Sequence, residues 1–171
     1  MDKKVMFLLS RYNIETNHKM NGFISKLTKE QWEREFKGFF NSIKSLCNHI
    51  YIGDFNWLKR FSKLKQFKYI QKEIFTKDIN FSASAFNTAA EYLELRDQLD
   101  RSISDFINEI DEEDLNKDLI YKDSRGKEYT KNLGGLILHM FNHQTHHRGM
   151  ISIYLEEMGI ANDYSNFNSI L

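Results

Sequence analysis

The sequence predicts an all-α fold: a four-helix bundle with a small β-hairpin between its third and fourth helices. Three observations carry this. Apolar residues recur at three- and four-residue steps over four long stretches. Proline, which breaks helix interiors, is absent from all 171 residues. Strand-like alternation about a glycine turn occurs in one place, between the third and fourth stretches.

The first helix is predicted over residues 2–27, on the spacing of Val5, Leu8, Leu9, Tyr12, Met20, Phe23, Ile24 and Leu27. Thr28 followed by Gln31 fits a capping box and opens a short helical turn over 29–37. A second long helix spans 39–63, its apolar positions including Phe39, Ile43, Leu46, Ile50, Trp57 and Phe61. Residues 64–85 interleave lysines with aromatics, a pattern that can hold phosphates and stack on bases. The stronger reading is a surface connection whose aromatics tuck against the bundle. The third helix runs over 86–110, with Asn87 or Ser84 as cap and Ala90, Leu93, Leu99, Ile103, Phe106 and Ile110 inward. Leu119 and Tyr121, then Asp123-Ser124-Arg125-Gly126, then Tyr129 read as the hairpin, with Gly126 supplying a positive φ. The fourth helix covers 131–158 and stops at Gly159. The tail reads as loop laid back over the bundle. With no Gly- or Ser-rich linker to divide it, the chain is read as one domain, 1–171.

Composition narrows function. Lys plus Arg and Asp plus Glu both number 24, so a dedicated nucleic-acid binder, which carries a basic excess, is disfavoured. No apolar run approaches the roughly 18 residues of a membrane span, and the N-terminal one is too short for a signal peptide. A cytoplasmic protein is expected. The one cysteine, Cys47, excludes an intrachain disulfide and reads as a buried structural thiol.

Four of six histidines fall within LHMFNHQTHHRGM, residues 138–150. At about 100° per residue with His139 at the origin, His143 lies near 40°, His147 near 80° and His146 near −20°. Met150, Leu136, Tyr154, Met140, Met158 and Ile151 mark an apolar face from about 20° to about 120°. His143 and His147 therefore sit inside that face one turn apart, with His139 and His146 at its edge. Two such imidazoles are the geometry of helical zinc and iron sites. Buried without a partner, each would cost about 1–3 kcal/mol, and a divalent ion relieves both. The plainer alternative is that they bond to each other or to Tyr154. Of the remaining histidines, His18 lies in a polar stretch and reads as solvated. His49 lies beside the second helix's apolar positions, one turn before Gly53, which leaves room above it. A set of His49, His143 and His147 leaves coordination positions open, as catalytic sites do.

Three blocks, RYNIETNHKM, FNSIKSLCNHIYIGDFNWLKR and KEYTKNLGGLILHMFNHQTHHRGMISIYLEEMG, together with the hairpin between the last two, resemble the DinB/YfiT-like proteins. The resemblance covers nearly the whole chain in the family's order. It implies a four-helix bundle with an unusual connection order, often a homodimer. It also implies a three-histidine divalent-metal site of nickel or zinc, which residue by residue falls on His49, His143 and His147. Three imidazoles also suit iron or copper. Related bundles include isomerases and transferases that use low-molecular-weight thiols, so a thiol-dependent transferase or isomerase, or a hydrolase, acting on a small molecule is the activity implied. The alternatives are a metal-binding or stress-response protein without turnover, and a dimeric interaction protein with histidines as packing. Asp54 and Tyr12 are candidate helpers, although Asp54 reads first as a surface charge. His146 and Arg148 point away from the core face by angle, as surface or dimer-contact residues that the resemblance puts beside the site. His139 and Asn142 read as edge residues able to orient a ligand.

Overall fold

A computed structural model describes residues 2–76, 79 and 84–171 of the chain. Among them are five α-helices and one two-stranded sheet: α1 Lys3–Ile24, α2 Lys29–Glu33, α3 Ile43–Phe61, α4 Ala89–Glu109, β1 Asp118–Lys122, β2 Glu128–Asn132 and α5 Leu133–Glu157. The four long helices are the four expected, each one to four residues shorter at its ends because the caps lie inside the apolar periodicity. Asp2 accepts from the Lys4 amide and starts α1. Thr28 and Gln31 close the expected capping box at α2. Ser42 starts α3, so Phe39 lies in the preceding loop and is 92% exposed, contrary to its expected place in the helix face. Thr88, not Asn87 or Ser84, caps α4, while Asn87 donates its amide to Glu91. Asn132 caps α5 through the Gly135 amide. Gly159, at φ 77°, ends it in a Schellman turn, with Ile160 donating to the Leu155 carbonyl and Gly159 to that of Glu156.

The helices in extensive contact are α1 with α4 and α5, and α3 with α4 and α5. Around that ring, α1 stands diagonal to α3 and α4 diagonal to α5. Consecutive long helices on a diagonal need connections that cross an end of the bundle. Residues 25–42, carrying α2, make one crossing; residues 110–132, carrying the hairpin, make the other. β1 and β2 pair antiparallel with Tyr121 opposite Tyr129, and Gly126 takes φ 80° as the turn demands. The Asp123 carboxylate accepts the Arg125 and Lys127 amides inside that turn.

In the 64–85 stretch, of which residues 77, 78 and 80–83 lie outside the described residues, Phe67, Tyr69 and Phe75 are buried. Phe67 and Tyr69 pack against Phe106 of α4, and Phe75 stacks on Phe55 of α3. Two of the lysines there pair with acids: Lys72 with Asp105, and Lys65 with Asp111 and Asp114. The tail folds back as expected: Tyr164 is buried and Tyr12 donates to the Ser165 carbonyl. Cys47 is buried in the core, where burial pushes its thiol up to about 12. No helix among the described residues is long and apolar enough to cross a membrane.

The centre of the bundle is not wholly apolar. The inward face of α1 carries Ser10, Asn13, Thr16 and Asn17, all buried, while Val5 of the predicted apolar set is exposed. Asn13 and Asn17 meet Asp100 of α4 and Arg148 of α5, and Asn17 also Gln144; Arg96 of α4 links Asp100 to Asp54 of α3, all buried. Arg96 reaches Asp54 at 2.6 Å and Asp100 at 2.7 Å. Asn17 donates to Asp100 and accepts from Arg148, joining the two arginines' surroundings. Buried charges persist only when paired and hydrogen-bonded, which four helices together provide here.

Candidate metal centre

The structure brings His49, His143 and His147 together and leaves the other histidines aside. His49 projects from α3, and His143 and His147 project from successive turns of α5. The Nε2 of His143 lies 2.9 Å from that of His49 and 3.1 Å from that of His147. Ligand nitrogens of the three rings lie within 4.8 Å of one another. His147 is buried and the other two are partly buried.

This convergence is hard to satisfy by hydrogen bonding alone. A ring nitrogen offers either one N–H or one lone pair, so the Nε2 of His143 can serve one neighbour and not both. Burial first, and neighbouring imidazoles second, push all three rings down to about 4, so at neutral pH each presents a lone pair. Zinc binds imidazole nitrogen at about 2.0–2.1 Å, and adjacent ligand nitrogens then stand about 3 Å apart. The two short separations fit that spacing, and the donor set fits a divalent ion.

Local structure explains the approach. Gly53, one turn after His49, faces the His143 ring: a Cβ there would lie 3.3 Å from its Cε1 and 3.8 Å from its Nδ1. The room expected above His49 is the space the second ring fills. Phe40, in the loop before α3, stacks on His49 with centroids 4.3 Å apart and meets the His147 ring edge-on at 5.2 Å. That loop is fastened by Tyr154 of α5, which stacks on Phe36 at 4.1 Å and donates to the Phe40 carbonyl. Gly38 lets the chain pass, since a Cβ would come within 2.7 Å of the Tyr154 hydroxyl. Phe36, Phe40 and Gly38 are site residues that periodicity does not reveal; the FKGFF run before Ser42 is their one sequence signal.

His139 and His146 are exposed at the edge, as their angles predict, with rings 6.2 Å from His143 and 4.8 Å from His147 respectively. His139 also packs against Trp57. His18 is exposed.

Four expectations are corrected. Arg148 is not a surface residue: it is 2% exposed, held by Asn13, Asn17 and Thr145. The buried face of α5 is centred further round than the six apolar residues of the predicted face suggest: Ile137 and Leu155 near 160° and Phe141 near 200°, at about 100° per residue, are buried too, with Gln144 near 140° and Arg148 near 180° among them. His143, near 40°, therefore lies at the margin of the buried face and not inside it. Asp54 is fully buried and committed to Arg96, away from the histidines. Tyr12 lies on the α1 side, beneath the Arg148 guanidinium. Neither touches the centre.

With this geometry in view, comparison with known proteins is informative. The sequence profile of the DinB family matches residues 1–168. Protein DinB of Bacillus subtilis (strain 168) is 25% identical over 171 residues, covering 96% of this chain and 92% of that protein. Among solved structures, a DinB-like protein of Bacillus subtilis, YjoA, matches with a TM-score of 0.63 over 93% of this chain and 96% of its own. At 14% identity, that likeness is one of fold.

Proposed function

The chain belongs to the DinB family, and from that premise we propose that His49, His143 and His147 hold one divalent metal ion in an open, catalytic site acting on a small molecule. The observation that carries the reading is the meeting of three Nε2 atoms that hydrogen bonds cannot jointly satisfy. Nickel or zinc is the ion proposed, with iron and copper compatible with the same donors. A bound ion of this kind lowers the pKa of a thiol or water and supplies a nucleophile at neutral pH.

The protein's own part is positional. His143 and His147 are fixed one turn apart by α5, and His49 is brought to them across the α3–α5 contact. Phe40 covers His49 and His147 on one side and keeps water from that side of the cluster. The exposed rings of His139 and His146 stand where they can exchange protons with a molecule arriving from solvent. Transfer to or isomerisation of a small molecule using a low-molecular-weight thiol, or hydrolysis, is the activity proposed, in a cytoplasmic homodimer.

A second reading, a metal-binding protein without turnover, draws on a specific observation. Among the described residues no carboxylate reaches the trio, and the Nδ1 atoms of His143 and His147 are buried without partners. One experiment addresses both readings. Protein purified without a metal-affinity tag should carry about one divalent ion per chain by elemental analysis, lost in His143→Ala and His147→Ala. Unchanged metal in those variants would overturn the assignment. Turnover of thiol conjugates that disappears with the metal favours the enzyme; metal without turnover favours the binding protein. Light scattering tests the dimer.

A further inference from the structure

The buried network at the bundle centre divides its charges unequally. It holds two carboxylates and two guanidiniums, but both carboxylates, Asp54 and Asp100, bond to Arg96. Among the described residues, Arg148 has no carboxylate as a hydrogen-bond partner. Its Nη1 donates to the side-chain oxygens of Asn13, Asn17 and Gln144, and its Nη2 to Thr145 Oγ1. Its Nε is buried with no hydrogen-bond partner among the described residues. An Nη2 nitrogen carries two hydrogens, and one acceptor is seen for it. The side edge of the guanidinium, Nε with Nη2, is therefore where unused donors gather. That edge is the fork that receives a carboxylate through two parallel bonds.

Arg148 also lines a cavity. Between α1 and α5 lies a space of about 120 Å³. Leu9, Leu138 and Phe141 wall it, and Asn13, Thr145 and Arg148 bring polar atoms to it. One water needs about 10–15 Å³ of such space, so a carboxylate with a short chain fits. On α5 the cavity residues stand roughly opposite the histidines, at about 180–300° on the same wheel. This space is separate from the metal centre.

We infer that the α1–α5 cavity is a binding site for a small organic carboxylate, anchored by the Arg148 guanidinium with its apolar end against Leu9, Leu138 and Phe141. A buried guanidinium lacking a carboxylate partner gains most from an incoming anion, because the charge is already out of water. Asn13 and Asn17 prepare for it: each gives its amide N–H to Asp100 and turns its oxygen to Arg148. Both amides are thereby polarised toward holding the guanidinium in place. The planar edge selects a planar anion over a tetrahedral one.

The test uses the full chain and sodium acetate as probe, with sodium chloride at equal ionic strength as reference. The side-chain Nε–Hε resonance of Arg148, assigned through its loss in Arg148→Lys, should shift saturably with acetate. Half-saturation is expected at about 1–10 mM, the range open to one small bidentate contact. Leu138→Trp changes an exposed residue at the mouth, fills the cavity, and should abolish the acetate shift while zinc uptake at the histidines stays as in the wild type. The inference is overturned if acetate shifts the resonance no more than chloride does, or if Leu138→Trp responds as the wild type. An equal saturable shift with sodium sulfate overturns the assignment of a planar carboxylate. Because zinc uptake is read in the same samples, failure of this site and failure of the metal centre are told apart.

Discussion

Gly53→Ala separates the packing of the bundle from the placement of the candidate ligands. In a helix interior, alanine is favoured over glycine by about 0.8–1.0 kcal/mol. Against this, the added Cβ meets the His143 ring at 3.3 Å, a few tenths of an ångström too close, so the ring must give way. The ring is partly exposed and can move, so the metal-free protein should keep its stability or gain up to about 1 kcal/mol. Its ligand nitrogen, however, leaves the place where the other two rings meet it. Disturbing a group that orients a metal ligand costs about 10–100-fold in affinity. With metal in excess, a tenfold loss removes about 1.4 kcal/mol of ligand-induced stabilisation. For a chain of this size that is a melting shift smaller by about 3–6 °C. Thermal unfolding of wild type and variant, each in chelator and in zinc, measures both quantities. An undiminished zinc shift in Gly53→Ala would refute the reasoning, as would a loss of about 2 kcal/mol or more without metal, which would make the glycine a packing requirement.

Asp54→Ala leaves Arg96 with an uncompensated charge at that end and should cost about 3–5 kcal/mol in urea unfolding, with Asp54→Asn costing less. His49, His143 and His147, held near 4 in the fold against about 6.5 when unfolded, bind fewer protons folded than unfolded between those values. Metal-free stability should therefore fall as pH drops from about 6.5 to about 4, and a His49, His143, His147 triple alanine variant should show a flatter profile over that window. Asp114 titrates with the same sign but lower on the pH scale: burial would raise it, but the Asp111 amide, Lys117 and Lys65 hold it below the usual carboxylate range. The stability it contributes is complete above about pH 4 and lost below, so acid unfolding of Asp114→Asn should begin less steeply. Tyr154→Phe removes the hydroxyl that holds the Phe40 carbonyl; about 1 kcal/mol of stability should go with it, with faster exchange of metal from the site.

Apolar periodicity was enough to find four long helices, the hairpin and the stop at Gly159, because each is a local pattern. It misjudged which side of α5 faces inward. Met150, Leu136, Tyr154, Met140, Met158 and Ile151 suggest a face from about 20° to about 120°, while buried Ile137, Leu155 and Phe141 carry the real one to about 200°, with Gln144 and Arg148 inside it. The signal that places Arg148 inward is its position between Leu155, near 160°, and Phe141, near 200°, although its partners on α1 cannot be read from the sequence. Asp54 was misplaced too, and Asn13 and Asn17 passed unnoticed in RYNIETN. The histidine trio was legible because two members share one helix at a spacing with chemical meaning. The third came from the glycine one turn beyond it, whose purpose is visible only once the ring of His143 is seen against it. Phe40 covers the trio from a loop, where no periodicity exists to read.

The misread residues explain how the legible ones are held. Gly53 is followed by Asp54, His143 by Gln144, and His147 by Arg148. One residue turns a helix by about 100°, so Gly53, His143 and His147, which face the candidate centre, each stand next to a residue facing the polar core. Aliphatic contacts between α3 and α5 would tolerate a small slide or rotation, because dispersion is weakly directional. The network does not, since Asp54 must meet Arg96 and Arg148 must meet Asn13 and Asn17 at hydrogen-bonding distance. Fixing the rotation of both helices fixes where His49 meets His143 and His147. Asp54→Asn, which keeps the shape and weakens the tether, should thus lower zinc affinity at a position no ligand touches. Measured alongside stability, an affinity equal to wild type in a destabilised Asp54→Asn would show the core and the centre to be independent.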